Sequence, residues 1–145
     1  MRAVMRRRAL IVLLVIAAAG VLAACGSRGN SVHGQSAAVE RGSQLFAERC
    51  AGCHTLDVVG AEGGATKVRD RERVDGPNFN VRKECADNVL YAIRNGGYSG
   101  AIMPENIAVG QDAQAIAQFL EKYSGLKAKR SPGAAITTCG AGSGA

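Results

Sequence analysis

The chain has 145 residues, enough for one ordinary domain and too few for two that each bury a core. With no Trp and only 4 % aromatic residues, that core is thin unless something besides side chains fills it. The formal charge of +6 invites a nucleic-acid reading, but the excess is concentrated at one end, and its position removes that reading.

Residues 1–25 read MRAVMRRRALIVLLVIAAAGVLAAC. Arg2, Arg6, Arg7 and Arg8 form a positive segment, Ala9 to Val21 an apolar run, and small residues follow, which is the anatomy of an export signal. The end of this stretch, Leu22-Ala23-Ala24-Cys25, resembles the bacterial lipobox, so cleavage after residue 24 and lipidation of Cys25 are expected. The alternative is an uncleaved helix from Ala9 to about Cys25, near the lower limit of roughly 17 residues for crossing a bilayer. Either way the rest of the chain lies outside the cytoplasm, held at a bacterial membrane, on the outer face of the cytoplasmic membrane or on the periplasmic side. Removing residues 1–24 takes away four arginines and no acid, leaving 14 basic against 12 acidic side chains, a formal +2. No nucleic-acid partner is expected.

Residues 25–37 read as a flexible tether: "GSRGNSVHGQS" is polar, rich in Gly and Ser, and has no apolar period. From Ala38, Val39, Gly42, Phe46 and Cys50 recur at steps of three and four, which predicts a helix leading into "CAGCH" at residues 50–54. A Cys-x-x-Cys pair followed at once by His is the attachment signal for c-type haem: Cys50 and Cys53 form thioethers and His54 ligates the iron. Used directly, the same cysteines would make a thiol oxidoreductase or part of a zinc site. The first expects a strand-and-helix framework and the second another ligand pair, and the sequence offers neither.

Residues 55–76 carry Gly punctuation and then dense mixed charge, and are expected to form a loop. A second helix is predicted from about Ala86 to Arg94, stopped by Asn95-Gly96-Gly97, and a third from about Asp112 to Tyr123. There is no internal repeat and no convincing strand pattern. The tail, residues 127–145, is rich in Gly and Ala and is expected to be loose.

An iron that passes electrons needs a second axial ligand. Met1 and Met5 leave with the signal, so Met103, in the Gly-rich "GGYSGAIMPEN", is the only methionine of the mature chain and the candidate ligand. A gap-filling core residue is the plain alternative for it. His33 is the only other histidine, but it lies in the tether with no apolar framework to hold it at an iron.

Taken together, "ERGSQLFAERCAGCH", "DGPNF", "AIRNGG" and "AIMP" closely resemble the class I c-type cytochromes over about residues 38–124. The resemblance implies an all-α fold, three or more helices wrapped around one covalently bound haem c, over a domain placed at 38–126. It implies that the first helix packs at Gly42 against an aromatic of the last, Phe119 or Tyr123. It also implies that the Pro77 carbonyl accepts a hydrogen bond from His54, fixing the imidazole. The spacing from His54 to Pro77 exceeds that of the smallest members, and Lys67 to Arg73 looks like the insertion, read as a solvated face. Two haem propionates would bring the net charge near zero. Cys85 and Cys139 remain once the other cysteines are assigned. Outside the cytoplasm that even remainder suggests a disulfide, with free thiols or an intermolecular bridge as alternatives.

The function these readings imply is single-electron transfer between a redox donor and acceptor in a respiratory or related chain, by a mobile carrier or a fixed subunit of a larger oxidase or dehydrogenase. A ligand-binding haem sensor or enzyme would need an open iron position, against which Met103-Pro104 argues.

Overall fold

The computed structural model describes residues 29–98, 102–129 and 139. The export segment and Cys25 lie outside these residues. Three α-helices are described: α1 (Ala37–Arg49), α2 (Ala86–Asn95) and α3 (Gly110–Tyr123).

Helix α1 starts where Ser36, in extended conformation, turns its Oγ to accept the Val39 N–H at 3.4 Å, one of the first-turn donors that have no partner inside the helix. Its buried face is Val39, Gly42, Ser43, Leu45 and Phe46, and it closes at Cys50, whose N–H reaches Phe46 O. Helix α2 buries Ala86, Val89 and Ile93 and stops at Gly96, which takes the left-handed conformation (φ 69°) that a glycine adopts without strain. Helix α3 buries Ala113, Ala115, Ile116, Ala117, Phe119 and Leu120.

The crossing of α1 and α3 organises the rest. A side chain on Gly42 would put its first carbon 2.0 Å from Ala115 O and 2.8 Å from Phe119 Cβ, so only glycine lets these backbones come so close. Phe46 and Phe119 are both fully buried and meet with ring centroids 5.7 Å apart. Phe119 is therefore the aromatic opposite Gly42, with Tyr123 behind it, the two rings tilted by 34° at a centroid distance of 5.4 Å.

Residues 55–76 are more ordered than a loop. Strand β1 (Thr55–Leu56) pairs antiparallel with β2 (Ala61–Glu62) across a 3-10 turn at Asp57–Val59, and Gly60 takes the left-handed conformation (φ 66°). Two-residue strands are too short to show alternation, which is why the sequence gives no sign of them.

The tether expectation also changes. Ser31 N donates to Val58 O at 3.0 Å, Asn30 Nδ2 donates to Ser43 Oγ at 2.7 Å, and Val32 is buried at 3 % exposure. The part of 25–37 that is described, from residue 29 on, is thus fastened to the domain. A single valine makes no period, and its partners lie far along the chain. Among its described residues, the tail is tied at Lys127 and Cys139. Lys127 binds Asp57 through Nζ and Asn80 O through its backbone N–H, and Cys139 forms a disulfide with Cys85.

Candidate haem site

A cavity of about 390 Å³ opens between α1, α2, α3 and the segments that join them. Its walls include Phe46, Phe79, Val89, Ile93, Ile116 and Leu120, and Cys50, Cys53, His54, Pro77 and Met103 all border it. The five residues expected at the site from three separated stretches of sequence thus border one cavity. His33 is exposed and is not part of it.

Cys50 and Cys53 are free thiols, the first buried and the second exposed. Burial pushes the Cys50 thiol up to about 11, so it stays protonated at neutral pH. A dithiol enzyme needs the opposite, a thiolate stabilised by its surroundings. Among the described residues, no group of three or more His, Cys, Asp or Glu is gathered to hold a metal ion.

His54 is held from several sides. Its Nδ1 lies 3.2 Å from Pro77 O, to which the protonated nitrogen donates. Phe79 stacks on the ring at 4.8 Å, nearly parallel at 13°. Burial lowers the His54 pKa below its ordinary value, outweighing the hydrogen bond to Pro77, which acts the other way. The ring is therefore neutral at physiological pH, with its proton on Nδ1 and a lone pair left on Nε2. That is the form in which imidazole ligates a metal.

Gly76 completes this support. A Cβ there would lie 2.4 Å from His54 Cε1, so the chain passes as close to the imidazole as a backbone without a side chain can. The sequence marks Pro77 but not Gly76 or Phe79, although both stand in the same "DGPNF". Gly63 does similar work, with its absent Cβ falling 2.3 Å from Ala51 O within the motif's own turn.

Met103, half-buried, belongs to the segment following α2. That segment is fixed by Asn106 N–H on Ile93 O at 2.8 Å and by the close approach of Gly96 to Met103 O. Arg71, Arg73, Val74 and Asp75 also border the cavity. The charged insertion is exposed as expected, yet it lies on the cavity rim rather than apart from it.

An apolar cavity, a Cys-x-x-Cys-His turn at its wall and a neutral histidine with a free Nε2 fit a planar porphyrin bound by thioethers and by its iron. Together with the helical fold, they define a c-type haem protein. The cytochrome c family profile matches residues 39–124, more than half of the chain, and the chain belongs to that family. The cofactor is covalently bound haem c, and the family's work is electron transfer. No curated protein matches. Among solved structures, the c-type cytochrome SorU from Sinorhizobium meliloti is similar at 29 % identity, over 66 % of this chain and 100 % of that one, with a TM-score of 0.46.

Proposed function

We propose that this protein is a membrane-tethered, extracytoplasmic monohaem cytochrome that passes single electrons between a redox donor and an acceptor. In this reading Cys50 and Cys53 carry the thioethers, His54 and Met103 ligate the iron, and a lipidated Cys25 fixes the chain to the membrane. The observation that carries it is the tie of His54 Nδ1 to Pro77 O, which leaves Nε2 as the free nitrogen in a cavity that Met103 also borders.

When bound, the haem supplies a one-electron ferric/ferrous couple. Pro77 and Phe79 hold the imidazole in one tautomer and orientation, so the ligand does not reorganise when the charge changes. Phe46, Ile93, Ile116 and Leu120 keep water from the inner wall. Val74, Tyr98 and Ile102 border the cavity and are about half exposed, giving the mouth an apolar rim where a redox partner makes contact.

Met103 decides the matter. The ferric wild-type protein is expected to be low-spin, with the weak far-red band of an iron–thioether bond, and to bind carbon monoxide poorly once reduced. Met103→Ala opens the site to carbon monoxide, and Met103→His keeps the spectrum low-spin while lowering the potential. Rapid carbon monoxide binding by wild type, with no change in Met103→Ala, would rule out this ligand set and favour a ligand-binding haem.

A further inference from the structure

Among the described residues, six charged side chains border the haem cavity: Arg49, Arg71, Arg73, Asp75, Arg82 and Glu84. Glu84 alone among them is buried, at 7 % exposure. A buried carboxylate is costly unless something holds and pairs it. The structure holds this one from behind. Glu84 N–H donates to Ser124 Oγ at 2.9 Å, just past the end of α3, and the next residue, Cys85, carries the disulfide to Cys139. The carboxylate itself is paired with Arg82 Nε.

That pair is asymmetric. The Glu84 side chain is 9 % exposed and that of Arg82 is 51 % exposed. Water screens the guanidinium, whereas the carboxylate acts through a medium of lower dielectric. The pair therefore adds a net negative contribution to the potential in the pocket, although it is formally neutral.

From this we infer that Glu84 is a tuning residue: its enclosed carboxylate, held in place on the cavity wall, lowers the reduction potential of the haem. The inference rests on the haem reading above. An iron centre gains one negative charge on reduction, so a fixed anion nearby favours the ferric form. No bond and no proton changes at Glu84. The side chain acts on the iron only through its field.

The test is spectroelectrochemical titration of the holoprotein, comparing wild type with Glu84→Gln and with the double variant Glu84→Gln/Arg82→Gln. Glutamine keeps the shape of Glu84 and an acceptor for Arg82, and the double variant removes both charges without leaving either unpaired. Glu84→Gln is expected to raise the ferrous-to-ferric ratio at fixed ambient potential by up to about tenfold, which is 59 mV for a one-electron couple. The double variant is expected to rise nearly as far, because the charge it additionally loses is the screened one. Glu84→Asp, which keeps the charge, is expected to stay near wild type. A merely structural Glu84 would lower the unfolding midpoint in Glu84→Gln and leave the potential alone, and that result overturns the inference. If Glu84→Gln does not accumulate, the double variant decides: an unshifted potential overturns the inference. Absorption spectra separate the two readings, since a wild-type spectrum with an unmoved potential sinks the role of Glu84 while the iron ligation stands.

Discussion

Replacing Gly76 by alanine places a methyl group where His54 already stands. The new carbon would lie 2.4 Å from Cε1, 2.5 Å from Nδ1 and 2.8 Å from Nε2, whereas non-bonded heavy atoms settle about 3.5–4.0 Å apart. The ring must therefore retreat by about 1 Å. It has little freedom to do so, because Pro77 O holds one edge and Phe79 stacks on the ring. Gly76 is not among the glycines with positive φ, so alanine meets no backbone penalty and the cost is steric. Overcrowding of this kind costs about 1–3 kcal/mol, and loss of the bond to Pro77 adds about 1 kcal/mol. Together these give an expected loss of about 2–4 kcal/mol. Guanidinium unfolding of the holoprotein, followed by haem absorbance, measures that loss, and a shifted Soret absorption reports the displaced imidazole. An alanine variant with the wild-type midpoint and spectrum would show that the imidazole is not confined, and the reasoning would fail.

Gly42→Ala is expected to destabilise the protein by about 1–3 kcal/mol in urea unfolding, because the obstacle is the Ala115 backbone, and the roughly 1 kcal/mol that alanine gains as a helix former does not offset it. Cys139→Ser opens a loop that spans 54 residues of sequence and is expected to cost up to about 4 kcal/mol. Treating wild type with reductant should reproduce that loss, and the same treatment should leave the variant unchanged.

The motif at residues 50–54 and the three helices were legible because each rests on local spacing: Cys-x-x-Cys-His, and apolar steps of three and four. Helix ends shifted by one or two residues, as at Gly110 against Asp112, where no capping side chain marks the boundary. What escaped the sequence is contact between distant residues. Nothing near Val32 announces that it is buried, since its segment is fastened by Val58 and Ser43. The stacking of Phe79 on His54 depends on β1, where Thr55 O accepts the Phe79 N–H at 2.9 Å. The choice of Phe119 over Tyr123 needed the depth of the Gly42 crossing, which two residues one helical turn apart cannot reveal by periodicity alone.

The anchoring of Ser31 to Val58 shortens the leash. Taken as a free tether from residue 25 to 37, twelve residues would span up to about 40 Å, but with the chain fastened at Ser31 only six remain, reaching at most about 20 Å. If Cys25 carries the proposed lipid, the domain rides within about its own diameter of the bilayer. Its search for partners then becomes nearly two-dimensional, with local concentration set by the membrane surface rather than by the surrounding volume. Such a carrier serves proteins embedded in or resting on the same membrane, and a partner diffusing freely must come down to meet it.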